Sequence, residues 1–323
     1  MTGPTRVPLL FGTMTLGHTG KNGVRIADPK QCQEVLDAFF DHGHKELDTA
    51  RVYAEGTTEQ LLAQLDLRDA TIDTKVMPVR PGDHAPAALR STFMTSLRAL
   101  NRSKVRVLYL HAPDRNVPFE ETLSEINNLY REGLFEIFGL SNYASWEVAE
   151  IVGICKANGW VIPRIYQVMY NAITREMEAE LLPCCRKFGI RVVIYNPLAG
   201  GLFSGKITSG DDLVTAGGRF DNSSKLGQMY RARYLNHSHF EAVEHLRSVA
   251  AKHNLRMTEI ALRWCQHHSL LTPEDGVILG ASSKEQLEQN CIDSAKGPLP
   301  EEVTMALDKA HALAKPHAPL YWR

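Results

Sequence analysis

The segments TIDTKV (71–76), PAALRSTFMTSLRAL (86–100) and VRVLYLH (105–111) place two short apolar runs on either side of an amphipathic segment. Between Leu89 and Leu100 apolar residues recur every three or four positions, which is typical of one helix face. The two flanking runs have the length and the β-branched or aliphatic content of buried strands. A helix between two strands allows them to lie parallel in one sheet. These segments therefore predict a β-α-β unit.

The same alternation continues along the whole chain. Eight runs have strand character: Leu9 to Gly12, Lys45 to Asp48, Thr71 to Val76, Val105 to His111, Ile137 to Ser141, Ile165 to Met169, Arg191 to Asn196, and Val277 to Gly280. Helical segments alternate with them: Pro29 to His42, Thr58 to Asp66, Pro86 to Leu100, Glu120 to Arg131, Ser145 to Asn158, Glu176 to Phe188, His239 to His253 with Thr258 to His268, and Ser283 to Ser294.

Eight such units predict an α/β protein with a single (β/α)8 TIM barrel domain over residues 1–323, because eight parallel strands close into a barrel. A loop of some 40 residues, from Pro197 to Asn236, follows strand seven. The alternative architecture is an open doubly wound sheet. It normally carries GxGxxG after its first strand, and the segment from Gly12 to Gly17 lacks that spacing.

Residues at the predicted helix ends agree with this division. Asp28 followed by Pro29 is typical of a helix start, and Ser145 and Ser283 begin two further helices. Glycines lie just past four of the helices, where a left-handed residue is favoured: Gly43, Gly133, Gly159 and Gly189.

Charge and composition exclude several classes of protein. The formal net charge of the 323 residues is -1, so no basic field draws the chain to nucleic acid or to an anionic membrane. No apolar run approaches the roughly 20 residues of a membrane span, and the first residues lack the apolar region of a secretory signal. We expect a cytoplasmic protein whose six dispersed cysteines are buried thiols: Cys32, Cys155, Cys184, Cys185, Cys265 and Cys291.

In a barrel the carboxyl ends of the strands form one rim, where active sites lie. Strands two, three and four end near Asp48, Tyr53, Lys75 and His111. A lysine ammonium is expected to lower the pKa of a neighbouring phenol toward neutrality, which makes Tyr53 the candidate proton donor. Asp48 would hold Lys75 by an ion pair, and His111 would hydrogen-bond a substrate oxygen. The set suits protonation of an alkoxide.

Two other motifs have simpler explanations. GGLFSGK, from Gly200 to Lys206, fits the GxxxxGK pattern of nucleoside triphosphatases, but Ile207 stands where that motif needs Ser or Thr for Mg²⁺. A glycine-rich cover over a cofactor diphosphate accounts for the same residues. Thirteen histidines form no HExxH motif or three-ligand spacing, so we predict no metal site. The carboxylates are too dispersed to single out a glycosidase pair.

The sequence resembles the aldo-keto reductases, and specifically their aflatoxin-aldehyde reductase branch, family seven, from Phe11 to Arg323. The superfamily motifs are LDTARVYAEG (47–56), TKV (74–76), YLHAPD (109–114), GLSNY (139–143), YQVMYN (166–171) and YNPLAGGLFSGK (195–206). SNYASWEVAEI (141–151), GRFDNS (218–223) and the closing Tyr-Trp-Arg resemble the branch in particular.

The resemblance implies NADPH-dependent reduction of aldehydes and some ketones in a barrel that often forms a homodimer. It places the family's catalytic Asp, Tyr, Lys and His on Asp48, Tyr53, Lys75 and His111, with Tyr53 supplying the proton and the nicotinamide supplying the hydride. Residues implied in cofactor binding are Asp48, Ser141, Asn142, Gln167, Tyr195, Asn196, Pro197, Leu198, Gly200, Gly201, Lys206, Arg219, Gly280, Ser282, Ser283, Gln286, Gln289 and Asn290.

Within that set, Ser141, Asn142 and Gln167 would bind the nicotinamide carboxamide, and Tyr195 would stack near its ring. Residues 196–206 would cover the pyrophosphate. Arg219 and residues 280–290 would hold the adenosine 2′-phosphate and the adenine. The helix start at Ser283 offers free N–H groups to a phosphate independently of the resemblance.

The substrate residues implied by the branch are His111, Tyr230, Arg233 and Arg323, with the C-terminal tail over the rim. The two arginines suit a carboxylate and therefore predict aldehydes that carry an acid group, such as succinic semialdehyde, or dicarbonyls and quinones. The alternative function is a cofactor-binding regulatory or redox-sensing subunit of the same fold with little turnover. Slow turnover with tightly held cofactor would favour that alternative.

Overall fold

The structure, a computed structural model, describes residues 4–205, 207 and 218–323. Its described strands pair in chain order, each parallel to the next, and β8 pairs with β1 to close the barrel. The strands are β1 (Leu9–Gly12), β2 (Glu46–Asp48), β3 (Thr71–Val76), β4 (Val105–Leu110), β5 (Phe135–Ser141), β6 (Ile165–Met169), β7 (Arg191–Tyr195) and β8 (Gly276–Leu279). The predicted (β/α)8 barrel is confirmed.

Helices connect the strands around the outside of the barrel. Those in the described residues are α1 (Pro29–Asp41), α2 (Thr57–Leu62), α3 (Pro86–Ala99), α4 (Phe119–Arg131), α5 (Ser145–Asn158), α6 (Leu181–Phe188), α7 (Lys225–Tyr234), α8 (His237–Lys252), α9 (Met257–His267), α10 (Lys284–Ser294) and α11 (Glu301–Ala314).

Two of these helices lie where the sequence analysis predicts none. The first, α7, lies inside the segment expected to be a long loop, and its Ser224 cap accepts a hydrogen bond from the Gly227 amide. Few apolar residues mark it, so its periodicity is weak. The second, α11, buries Val303, Leu307 and Ala310 at helical spacing. The same spacing can be read in the sequence, but eight units complete a barrel without this helix.

Most predicted helix ends are confirmed. The Asp28 carboxylate accepts from the Gln31 amide at 2.9 Å, and Ser283 caps α10 by accepting from the Gln286 amide at 3.3 Å. Ser145 is the first residue of α5, after the N-cap Ala144. The segment predicted as a helix from Glu176 to Phe188 is divided into a 3-10 turn and α6.

The glycines expected at helix ends all have positive φ values, namely Gly43, Gly133, Gly159 and Gly189. The six cysteines are unpaired thiols; five are buried and Cys184 is half-buried. The expectation of buried thiols thus holds for five of the six.

Successive residues of each strand face opposite sides of the barrel wall. Leu108 on β4 and Ile194 on β7 belong to the large core between the barrel and the helices. Val107, Tyr109 and Val193 belong to a second apolar cluster, which fills the barrel interior. The interior is therefore closed by packing, and side chains at the carboxyl ends of the strands form the floor of an open rim.

The described residues contain no helix of sufficient length and apolar character to cross a bilayer. Within the same residues, no three His, Cys, Asp or Glu side chains come together as a possible metal site.

Candidate active site

The carboxyl ends of β2 and β3 bring an acid and an amine into direct contact. Lys75 Nζ donates to Asp48 Oδ2 and to the Thr49 carbonyl, each at 2.7 Å. Gln167 on β6 donates to the other Asp48 oxygen at 2.7 Å. Burial opposes the charge of Lys75, but Asp48 and Tyr53 outweigh it and raise the pKa of the ammonium. Lys75 is therefore a buried cation held in one position.

The Tyr53 hydroxyl lies next to this cation. Lys75 Nζ donates to the hydroxyl at 3.3 Å and lies 4.9 Å from the centre of the Tyr53 ring. Burial raises the pKa of Tyr53 to about 12, although Lys75 acts in the opposite direction. The expected lowering of this pKa toward neutrality is therefore wrong, because desolvation outweighs the nearby charge. The phenol keeps its proton at neutral pH, which is the form that can donate it.

His111 completes the group at the end of β4. Its ring centre lies 6.0 Å from that of Tyr53, with the rings at 78°. Burial lowers the pKa of His111 well below its ordinary value, and the charges of Lys75 and Arg323 lower it further. Its Nδ1 atom is buried and has no hydrogen-bond partner among the described residues. The imidazole is thus neutral and offers one donor and one acceptor nitrogen.

The turn that begins at Tyr53 has an unusual backbone. Ala54, Glu55 and Gly56 have φ values of 46°, 57° and 93°. Left-handed backbone costs about 1–2 kcal/mol for each residue other than glycine, so other contacts must hold the turn. One of them is the Arg51 guanidinium, which donates to the Gly56 carbonyl at 2.7 Å.

The residues expected to bind a carboxamide lie beside the Asp48, Lys75 and His111 side chains. The Asn142 amide nitrogen donates to the His111 carbonyl at 2.7 Å and to the Ser141 hydroxyl oxygen at 3.0 Å. The Tyr195 hydroxyl donates to the Asn142 side-chain oxygen at 3.0 Å. Asn142 has a φ of 63°, which turns the chain sharply after β5. The Ser141 hydroxyl hydrogen and one lone pair of Asn142 Oδ1 remain for a ligand.

The segment after β7 joins this rim to α7. Pro197 is buried and Leu198 half-buried, just before a 3-10 turn from Ala199 to Ser204. Asn196 accepts a hydrogen bond from the Tyr230 hydroxyl at 3.1 Å. At Gly200 a Cβ atom would lie 2.6 Å from the Tyr230 ring, so only glycine fits there. Gly201 faces open space, and Lys206 lies outside the described residues.

Arg219 lies above the junction of β1 and β8. It donates to the Tyr230 hydroxyl at 3.3 Å, and its guanidinium lies 4.9 Å from the centre of that ring. It also lies 3.3 Å from the Met14 sulfur. The guanidinium is 4.0 Å from the position that a Cβ atom would take at Gly280. A cation and an exposed glycine therefore share one side of the rim.

The residues after β8 form an open edge at the start of α10. Ser282 and Gln286 are exposed and bonded to each other, with Ser282 N–H and O–H both donating to Gln286 Oε1, at 3.0 and 2.8 Å. Ser283 and Gln289 are half-buried, and Gln289 donates to Asp293 at 3.1 Å. Asn290 is buried, one turn further into the helix. The structure thus brings these predicted residues to one surface, although Asn290 lies mostly inside it.

Comparison with known proteins agrees with this geometry. The sequence profile of the aldo/keto reductase family matches residues 8–312. The chain belongs to the aldo/keto reductase family. It is therefore an oxidoreductase of that family.

Individual relatives of this aldo/keto reductase cover nearly all of its length. Aflatoxin B1 aldehyde reductase member 2 of Mus musculus is 44% identical and covers 99% of this chain and 89% of its own. Aldo-keto reductase family 7 member A3 of Homo sapiens is 43% identical over 98% of both chains. Oxidoreductase sirO of Leptosphaeria maculans is 35% identical over 97% of this chain and 96% of its own. The resemblance to the aflatoxin-aldehyde reductase branch is confirmed.

In this reductase the last three residues cover one side of the rim. The Arg323 amide donates to the Asn142 carbonyl at 3.1 Å. The Tyr321 hydroxyl donates to Glu180 and accepts from the Ser145 amide at 3.0 Å. Arg323 is exposed, yet its charge reaches His111. The tail therefore lies over the rim, as predicted.

The other two predicted substrate residues lie on α7. Tyr230 is buried and close enough to Tyr53 to affect the pKa of its phenol. The Arg233 guanidinium lies 5.7 Å from the centre of the Tyr230 ring. The structure thus brings Tyr230 and Arg323 toward Tyr53 and His111 and leaves Arg233 one side chain further away.

The sequence analysis missed the residues that support the Tyr53 turn. Arg51 and Glu59 lie within or just after the motif that contains Asp48 and Tyr53. Their opposite charges were a weak signal, because a pairing across a turn cannot be read from spacing. Thr49 was missed as well, since it acts through its backbone carbonyl on Lys75.

Proposed function

We propose that this aldo/keto reductase reduces aldehydes to alcohols with NADPH, with Tyr53 as the proton donor. The observation that carries the proposal is the position of one buried ammonium. Lys75 Nζ lies 2.7 Å from an Asp48 carboxylate oxygen and 3.3 Å from the Tyr53 hydroxyl. This arrangement prepares a phenol to give up a proton at the mouth of the barrel.

Each side chain has one task in this reaction. Tyr53, whose pKa is about 12, is protonated at neutral pH and donates its proton to the carbonyl oxygen as that oxygen gains charge. Lys75 stabilises the phenolate that remains, and Asp48 keeps Lys75 in place. Neutral His111 donates a hydrogen bond to the same oxygen. Solvent then returns a proton to Tyr53.

Free hydrogen-bonding capacity at the rim fits a nicotinamide. Ser141 retains a hydroxyl hydrogen, Asn142 retains an acceptor, and the Gln167 side chain uses one donor on Asp48. A carboxamide needs this combination of donors and acceptors. The partly exposed Tyr195 ring lies beside them and offers a stacking surface. When bound, the reduced nicotinamide supplies the hydride to the carbonyl carbon.

Phosphate groups would be held on the other side of the rim. Gly280 is exposed beside the Arg219 guanidinium, and a helix of eleven residues begins just beyond it after Ser283. A guanidinium together with a helix N-terminus binds phosphate. We infer that Arg219, Ser282, Ser283, Gln286, Gln289 and Asn290 hold the adenosine end, and that residues 196–201 together with Lys206 cover the pyrophosphate. The extra charge of a 2′-phosphate makes NADPH the preferred cofactor.

The substrate residues suit an aldehyde that bears a carboxylate. Arg323 is exposed at the rim and is near enough to His111 to lower its pKa. From this position at the rim, the Arg323 guanidinium can bind the carboxylate of a substrate whose aldehyde faces Tyr53. We propose succinic semialdehyde, dicarbonyls and quinones as substrates, with Tyr230 and Arg233 contributing to the same pocket. The relatives named for aflatoxin B1 aldehyde support an aldehyde substrate.

The test follows the loss of NADPH absorbance with succinic semialdehyde, 4-nitrobenzaldehyde, 9,10-phenanthrenequinone and methylglyoxal, each repeated with NADH. We expect turnover with NADPH, weaker turnover with NADH, and the lowest KM for the substrate that carries a carboxylate. Tight NADPH binding with no turnover on any of the four would refute the proposal in favour of the redox-sensing alternative. A cytoplasmic location, a single domain and a homodimer remain our expectations.

A further inference from the structure

Tyr53 is connected to the strand that carries Lys75 by a buried ion pair outside the predicted active-site residues. The Glu59 side chain is fully buried, and its Oε2 atom lies 2.5 Å from Arg51 Nη1. Its Oε1 atom accepts a hydrogen bond from the Thr74 hydroxyl at 2.6 Å. Thr74 immediately precedes Lys75 on β3, and it is also fully buried.

The other side of this connection reaches the Tyr53 turn, residues 53–56. Arg51 Nη2 donates to the Gly56 carbonyl at 2.7 Å, at the end of the turn. The Arg51 amide donates to the Lys75 carbonyl at 3.0 Å. Arg51 therefore contacts both the strand that carries Lys75 and the turn that carries Tyr53.

The turn cannot keep its shape by local preference. Two consecutive residues other than glycine, Ala54 and Glu55, have left-handed backbone, a conformation that L-residues avoid. Without a support, the backbone would relax and move the Tyr53 ring. Glu59 also faces no water, and Arg51, Thr74 and Ser96 are the groups that contact its carboxylate among the described residues.

From these contacts we propose that Arg51 and Glu59 are positioning residues for proton transfer, which set the distance between Lys75 Nζ and the Tyr53 hydroxyl. The proposal rests on the proposed role of Tyr53 as proton donor. Arg51 and Glu59 touch neither the substrate nor the cofactor in this scheme. They act by clamping the Tyr53 turn onto β3.

The test is Glu59→Gln, which keeps the shape of the side chain and removes its charge. A small displacement of a reacting group reduces the rate by roughly 10- to 100-fold, so we expect kcat to fall within that range. KM and the Kd for NADPH should change by no more than about threefold, because the cofactor residues lie elsewhere on the rim. The decisive readout is the single-turnover rate of NADPH oxidation per bound cofactor.

That readout separates positioning from general damage to the fold. Destabilisation alone would lower the number of NADPH sites and leave the rate per bound cofactor unchanged, which would overturn the proposal. Asp275→Asn is the matched control. Asp275 is a buried carboxylate that binds Arg186 through both oxygens at the opposite end of the barrel. It should lower the thermal midpoint without reducing the rate per bound cofactor.

A second variant keeps the test open if Glu59→Gln does not fold. Thr74→Val removes only the hydroxyl that donates to Glu59, and we expect a smaller fall in the same rate. Tyr53→Phe is measured in parallel. If Tyr53→Phe retains turnover, the proposed proton donor is wrong. If Tyr53→Phe is inactive while Glu59→Gln and Thr74→Val keep the native rate, only the positioning role is overturned.

Discussion

Strands β2 and β3 each carry two charged residues, all of them buried except the half-buried Glu46, and the two ends of the barrel use them differently. At the carboxyl end, Asp48 and Lys75 form a pair beside a phenol and an imidazole. Two residues earlier on the same strands, Glu46 and Asp73 face the opposite end of the barrel. Alternation along a strand places both sets on the interior side, with apolar packing such as Tyr109 in the same interior.

We call the carboxyl end of the strands the upper end and the opposite end the lower end. The charged residues at the lower end are carboxylates neutralised by arginines. Arg106 binds Asp73 through two nitrogens at 2.8 and 2.5 Å, and it also lies 2.5 Å from Glu46. Arg191 adds a second contact to Glu46 at 2.9 Å. Burial raises the pKa of Asp73 to about 6 although Arg106 acts against it. The Tyr109 phenol, whose pKa burial raises, lies close enough to Asp73 for that carboxylate to raise it further, and its hydroxyl has no hydrogen-bond partner among the described residues, but it is fully buried in the barrel interior.

The comparison shows that buried charge alone does not make an active site. Both ends have desolvated ion pairs with short contacts. At the carboxyl end the Tyr53 hydroxyl and the His111 ring are half-buried at an open rim, where a ligand can reach them, whereas the Tyr109 hydroxyl, unpartnered in the described part of the chain, is enclosed in the barrel interior. We therefore expect substitutions at the upper end to change the rate and substitutions at the lower end to change stability.

The largest effect should come from Tyr53→Phe. Removal of a general acid lowers kcat by roughly 10²- to 10⁴-fold, while packing of the ring is retained. Steady-state kinetics with succinic semialdehyde measure the loss, and fluorescence titration with NADPH checks that the cofactor still binds within a few-fold. Substantial remaining turnover would show that another group donates the proton. It would also contradict the expectation that substitutions at the carboxyl end change the rate.

The lower end is tested by Arg106→Leu. Loss of the arginine leaves Asp73 buried without a counter-charge, whereas Glu46 keeps Arg191. A broken buried pair costs about 3–5 kcal/mol of the free energy of unfolding. Urea denaturation measures this. The rate per NADPH-binding site should stay native. A fall in that rate, comparable to the Tyr53→Phe effect, would show that the lower pair contributes to catalysis.

The comparison also explains what the sequence could predict. Short apolar runs locate the strand ends, so Asp48, Lys75 and His111 can be assigned to one rim from the sequence alone. The pKa of Tyr53 could not be predicted, since its sign depends on how much water the folded chain removes from the phenol. The position of Arg233 behind Tyr230 depends on α7, which the sequence does not predict because few apolar residues mark that helix.

Specificity within the upper end is tested by Arg323→Ala. A hydrogen bond to a charged group contributes about 1.5–3 kcal/mol, so KM for succinic semialdehyde should rise by roughly tenfold or more. KM for 4-nitrobenzaldehyde should rise much less, because this substrate carries no carboxylate. Arg233→Ala is the companion variant and should have the smaller effect, because Arg233 lies behind the Tyr230 ring. Equal increases for both substrates would exclude carboxylate binding by Arg323.

The smallest expected effect concerns pH: the reaction rate and the stability of the fold should depend on pH differently. Tyr53 has a raised pKa of about 12 and His111 a lowered one, so neither changes its charge near neutrality. The single-turnover rate should therefore be nearly flat from pH 6.5 to 9. Stability should behave differently, because burial lowers the pKa values of His44 and His239 to about 4.

A histidine whose folded pKa lies below the unfolded value of about 6.5 stabilises the fold above pH 6.5, and that contribution is lost as the pH falls toward 4. Urea denaturation at a series of pH values should show this loss, and His239→Asn should reduce its slope. If the single-turnover rate per bound cofactor instead fell over the same acidic range, a group of the upper end would titrate there. The net charge around Tyr53 and His111 would then change with pH and would not depend on the Asp48–Lys75 pair alone.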